Sequence, residues 1–147
     1  MKRILVAAML TPLVACGAHK FESVYRAAQA VQSAVDTSAG FARYNESVLA
    51  FNTELTRFHE QAADQQEAAL LNLYGEALVP YTHALTLWIL KQERQTDLLS
   101  RSPILDQMLE PYAVTFDNDL IAVDATMKTI WAVAKERLDK ANAQFNR

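Results

Sequence analysis

The residues able to do chemistry are few. One cysteine, Cys16, and three histidines, His19, His59 and His83, are spread over 147 residues. A lone thiol closes no internal disulfide. A haem or metal site within a helical bundle needs inward-facing ligands from several helices, often as Glu-x-x-His. No such pair occurs, nor any Cys-x-x-Cys-His attachment. His83 lies two residues from both Tyr81 and Leu85, and His59 is adjacent to Phe58, so both are expected off the apolar stripes and at the surface. Asp117-Asn118-Asp119 starts like a calcium loop, but Ile121 and Ala122 stand where an oxygen donor and a glycine are required. These acids read instead as the start of a helix, whose positive end they suit. No Gly-x-Ser-x-Gly elbow is present, and three glycines leave no phosphate-binding loop. Asp124–Lys128, Lys135–Asp139 and Glu136–Lys140 are spaced i, i+4 and read as ion pairs on a solvated helix face. The sequence therefore predicts no catalytic residue, no metal ligand and no cofactor.

The position of Cys16 carries the strongest signal. Residues 1–16 read MKRILVAAMLTPLVAC: a basic start at Lys2 and Arg3, an apolar run over Ile4–Leu10, a break at Pro12, then Leu13, Val14 and the small Ala15. This is the layout of a secretory signal and is too short to span a bilayer. Leu13-Val14-Ala15-Cys16 resembles the lipobox of bacterial lipoproteins. The resemblance covers about 16 residues and implies cleavage before Cys16, with acyl chains on the cysteine. Two or more acyl chains hold a protein stably to a membrane. Gly17 is not the Asp that favours inner-membrane retention in enterobacterial lipoproteins. The resemblance therefore implies the periplasmic face of the outer membrane. The expected organisation is a signal peptide over 1–15, a lipidated tether over 16–20 and one domain over 21–147.

Composition fits a single helical domain. Half of the residues are hydrophobic, and there are only 3 Gly and 4 Pro. Net charge is -3, and losing Lys2 and Arg3 would make it more negative. A mildly acidic chain with scattered charge gives no case for nucleic acid and no basic patch for anionic lipid.

The elements that must position any site follow from four apolar rows spaced three and four residues apart. They are Phe21, Val24, Ala28, Val31, Val35; then Phe41 through Ala62; then Leu71, Tyr74, Leu78, Tyr81, Leu85, Trp88; and finally Leu120, Val123, Met127, Ile130, Ala134, Leu138, Ala141, Phe145. No stretch alternates long enough to predict a sheet. A one-residue slip of the stripe at Asp36–Gly40 predicts a tight joint, with Gly40 able to take positive φ; one long kinked helix is the alternative. Asp64-Gln65-Gln66-Glu67 reads as a capping box. Pro80 predicts a kink near residues 76–80. Ser102-Pro103 reads as an N-cap with proline at the first helical position. The fold predicted is all-α, an antiparallel bundle of about four helices over 21–36, 42–62, 65–96 and 116–144, with a short helix near 103–109.

Aromatics on the rows, Tyr44, Phe51, Phe58, Tyr74, Tyr81 and Trp88, are expected in the core, with Trp131 at a stripe edge. Leu85–Leu90 is apolar nearly all round and is expected to be buried, yet is the first candidate for an interaction surface. The layout is also loosely similar to small proteobacterial lipoproteins with an early Tyr-containing helix (Tyr25, Tyr44) and a late Ile130-Trp131 before Leu138, a likeness that implies no activity. The function expected is a non-enzymatic envelope module, held to the membrane through Cys16, that binds an envelope protein; the alternative is a small-molecule-binding bundle with a cavity near the Pro80 kink.

Overall fold

A computed structural model describes residues 20–147. Cys16, His19 and the signal-like segment lie outside the described residues.

Among the described residues four long helices form an up-down-up-down bundle: α1 (Glu22–Asp36), α2 (Phe41–His59), α3 (Gln65–Arg94) and α5 (Val123–Phe145), with the short α4 (Pro103–Leu109) between the last two. Sequential helices pack side by side, α3 against α5 most extensively, and α1 touches α5 to close the ring. The predicted all-α antiparallel bundle is what the chain forms, and the joint after Asp36 separates two helices rather than kinking one. The predicted rows face inward, except that Leu120, at the head of the fourth, lies on the outer side of a strand and is exposed. Val24, Ala28 and Val31 meet Tyr44, Val48 and Phe51, and these meet Leu71, Tyr74, Tyr81 and Ile130, Ala134, Leu138 in one core.

Local chemistry sets the boundaries. The Asp64 side chain accepts a hydrogen bond from the Glu67 amide at 2.8 Å and opens α3, while Glu67 accepts from Ala63 N at 2.7 Å. Ser102 caps α4 through Leu105 N at 3.3 Å, with Pro103 next. At the first joint the positive φ belongs to Ser38 (51°), while Gly40 is extended at φ -65° and serves as the N-cap of α2. An N-cap needs extended backbone, so the left-handed residue falls two positions earlier than expected.

Pro80 lies within an unbroken α3. Its missing N–H orphans the carbonyl four residues back, that of Glu76. Arg137 of α5 donates to that carbonyl at 3.1 Å, so the neighbouring helix supplies the lost bond.

The predicted start of the last helix at residue 116 is wrong. Residues 116–122 form a turn and a strand. β1 (Leu98–Ser100) and β2 (Leu120–Ala122) pair antiparallel, Leu99 opposite Ile121. Asn118 and Asp119 both take positive φ, 48° and 61°, in a tight turn closed by Asp117 and Leu120. Asn and Asp tolerate this left-handed region, which two-residue turns of this kind require. Asp117 and Asp119 thus serve a turn, and Asp124 is the acid in the first turn of α5. Leu99 and Ile121 point inward and are buried, sealing one end of the bundle; Leu98 and Leu120 are left on the outer face. Strands of three residues are too short for a period-two signal.

Candidate aromatic cleft at the far end of the bundle

The two ends of the bundle differ. At one end the chain enters. Lys20 Nζ donates to the Gln61 carbonyl at 2.6 Å and pairs with Glu67 at 2.7 Å. Phe21 packs edge-on against Phe58, and Tyr25 stacks on Phe145 at 4.7 Å between ring centres. The amide of Ala63 and then Lys20 hold the Glu67 carboxyl below its usual range. At the other end sit the α1–α2 joint, the C-terminal half of α3, the two-strand ribbon and the start of α5. The fifteen residues of α1 separate these ends by about 22 Å.

The far end holds an aromatic cluster drawn from three helices. Trp88 contacts Phe41, Tyr44 and Trp131, at 5.8, 5.6 and 6.1 Å between ring centres, and Tyr44 meets Trp131 at 5.6 Å. Beside it opens a cleft of about 400 Å³, reached from solvent, whose walls include Val35, Tyr44, Trp88, Met127 and Trp131, with Ser38, Gly40, Asp124 and Lys128 among its polar and open positions. That volume lies within the range of small-ligand sites.

Behind the cleft a chain of polar groups crosses all four long helices. Trp131 Nε1 donates to the Tyr44 hydroxyl at 2.9 Å, and that hydroxyl donates to the Tyr81 carbonyl at 2.8 Å. The Tyr81 hydroxyl donates to Gln32 Oε1, and Gln32 Nε2 donates to Asp36 at 2.7 Å. Gln32 is buried only because both ends of its amide are engaged. Burial raises the phenols of Tyr44, Tyr74 and Tyr81 above the ordinary tyrosine value, with only the Trp131 hydrogen bond pulling Tyr44 back. All three therefore act as neutral hydrogen-bonding groups, not bases.

Charge at the rim is arranged differently from the sequence reading. Lys135–Asp139 and Glu136–Lys140 are the ion pairs expected, at 3.0 and 2.8 Å. Asp124 does not pair with Lys128. Lys91, reaching across from α3, bonds both oxygens of Asp124 at 2.8 Å and also meets Asp97 at 2.6 Å. These two acids, Asp124 first, raise the Lys91 ammonium above its usual value. Lys128 is left on the cleft wall without an anionic partner among the described residues.

His59 is exposed, as expected. His83 is not a surface residue. It is half-buried, its Nδ1 lies 2.7 Å from the Tyr112 hydroxyl, and it ties the short turn after α4 to α3. Burial, then the charge of Arg137, lowers its pKa, so the neutral ring is favoured. The turn carrying Tyr112 was invisible to the stripe argument that placed His83 outside.

Leu85–Leu90 divides: Leu85 and Leu87 are buried, Trp88 and Leu90 half-buried, and Ile89 lies at the surface. Only Trp88 of this segment reaches the cleft. The space is not at Pro80, where Ala77, Tyr81 and Ala84 are fully enclosed, but about two helical turns further on. Among the described residues no three His, Cys, Asp or Glu side chains converge to hold a metal, and no helix is long and apolar enough to cross a membrane. The missed part of the site is the meeting of Phe41, Tyr44, Trp88 and Trp131; its one sequence signal is that both tryptophans sit at or beside stripes on different helices.

The chain matches none of the protein families, characterised proteins or solved structures with which it was compared, so the cleft and its rim stand on their geometry alone.

Proposed function

We propose that this chain is a non-enzymatic accessory lipoprotein of the bacterial envelope, anchored at the periplasmic face of the outer membrane through acyl chains on Cys16, that works by binding another envelope protein. One observation carries the proposal: the polarity of the bundle. Lys20 is bonded into the base at Gln61 and Glu67, and only three residues separate it from Cys16. From Cys16 to Lys20 the chain reaches at most about 14 Å. A base held this close to a bilayer turns the aromatic cleft and the outer face of the ribbon away from it. That far segment also carries exposed apolar side chains, Leu98, Ile104 and Leu120, with Ile104 77% exposed. Apolar side chains exposed at the same end of the bundle as an aromatic cleft are what a protein-binding surface offers.

A photo-crosslinking residue at Leu98 or Ile104, compared with one at His59 near the base, tests the proposal in intact cells of the native host. A discrete adduct with an envelope protein is expected from the far positions only. Absence of that adduct, or the same adduct from His59, rejects it. The cleft volume favours a second reading, a small-molecule binder, which a ligand co-purifying with the chain in equal amount would establish.

A further inference from the structure

We infer that the far-end cleft recognises the C-terminus of a polypeptide that ends in an aromatic residue, the ring held against Trp88 and Trp131 and the terminal carboxylate held by Lys128. The inference rests on the protein-binding reading and gives the partner a chemistry. Three observations lead to it.

The walls favour a flat apolar group. Trp88, Trp131, Tyr44 and Met127 come from three helices and enclose space for about one side chain and a little backbone. Aromatic rings gain from offset or edge-on contact with such walls beyond the area they bury.

One cation at the rim is open to an anion. Asp124 would repel a carboxylate, but both of its oxygens are engaged by Lys91, which also pairs with Asp97. That pairing releases Lys128, one turn further along α5, from its natural i, i+4 partner. A cation beside an apolar slot complements a ring that carries a negative charge a few bonds away.

The open mouth favours the end of a chain over a free molecule. Pockets for small ligands cover most of the ligand surface. Ser38, Ala39 and Gly40 of the α1–α2 joint line this cleft, and Ser38 and Gly40 are exposed to solvent. A Cβ built on Gly40 would meet nothing within 4 Å, so space remains there for the residues preceding a bound terminus.

The chain contains two tryptophans, and both line the cleft, so its emission excited at 295 nm reports on this site alone. The full chain in lipid nanodiscs is titrated with acetyl-Gly-Ser-Phe bearing a free carboxylate, with the same peptide as its C-terminal amide, and with 3-phenylpropionate. The free-acid peptide is expected to shift the emission saturably, with the amide at least fivefold weaker. Lys128→Gln, an exposed change, is expected to weaken the acid about fivefold and leave the amide unaltered, whereas Lys128→Arg keeps the preference. Gly40→Leu is expected to block the mouth; its backbone at φ -65° suits any residue. Equal binding of acid and amide, or no shift at 5 mM peptide, overturns the inference. Binding of 3-phenylpropionate as tightly as the peptide overturns it in favour of free aryl acids. Far-end crosslinks without a peptide response sink this inference alone; a peptide response without crosslinks sinks the broader reading instead.

Discussion

Replacing Tyr44 with phenylalanine removes one oxygen from the interior of the bundle's far end and leaves the ring contacts to Trp88 and Trp131 in place. That oxygen joins α2 to α3 and α5, accepting from Trp131 Nε1 at 2.9 Å and donating to the Tyr81 carbonyl at 2.8 Å. A typical intramolecular hydrogen bond contributes about 1 kcal/mol net. The Tyr81 carbonyl lies within α3 and keeps its helical environment, but the half-buried indole N–H of Trp131 loses its one partner among the described residues. The expected loss is about 2 kcal/mol, or about 8 °C in Tm for a domain of this size. Urea unfolding followed by helical circular dichroism measures it through the midpoint at constant slope. A cycle with Trp131→Phe isolates the pair and should show about 1 kcal/mol of coupling. A Tyr44→Phe cost below about 0.5 kcal/mol, or a coupling near zero, would show that water replaces the hydroxyl freely and that the polar chain is not a fastening of the bundle.

Other expectations follow from the same contacts. Tyr44, Tyr74 and Tyr81 have folded pKa values raised above the unfolded value near 10, so their contribution is complete below that pH and is lost as pH rises past it. While the three are protonated folded and ionised unfolded, stability should fall by about 4 kcal/mol per pH unit; ionisation of more than two of the five tyrosines, read by absorbance, before helix loss would contradict this. Arg137→Met should cost about 1 kcal/mol in the native chain but almost nothing in Pro80→Ala, where residue 80 regains an N–H for the Glu76 carbonyl; equal costs in both backgrounds by denaturant titration would refute the compensation. His83, held below the usual histidine value by burial, contributes stability that is complete above about pH 6.5 and declines as pH falls; His83→Gln should flatten that acid limb of the stability curve. Mass spectrometry of the mature N-terminus should find acylated Cys16, and an unmodified cysteine would remove the anchor from the proposed function.

The order and type of the long helices were legible in the sequence because each buries one stripe, and a stripe repeats every three to four residues whatever it packs against. Caps were legible for the same local reason: Asp64 with Glu67 and Ser102 with Pro103 act within one turn. Both tryptophans and the single cysteine, Cys16, are also read directly from the sequence. Its errors lie where partners are distant in the chain. The ribbon of Leu98–Ser100 with Leu120–Ala122 is stabilised by pairing between residues 20 to 24 positions apart, so neither strand announces itself alone. His83 was misplaced because Tyr112 covers it from 29 residues away. The charge on Lys128 was assigned to Asp124 by spacing along one helix, yet Lys91, 33 residues distant, lies closer in space to that acid. Periodicity reports which face of a helix turns inward. Only the packing of α1, α2, α3 and α5 decides which side chains meet at the far end, and there a stripe edge became a cleft and a surface lysine became its unpaired charge.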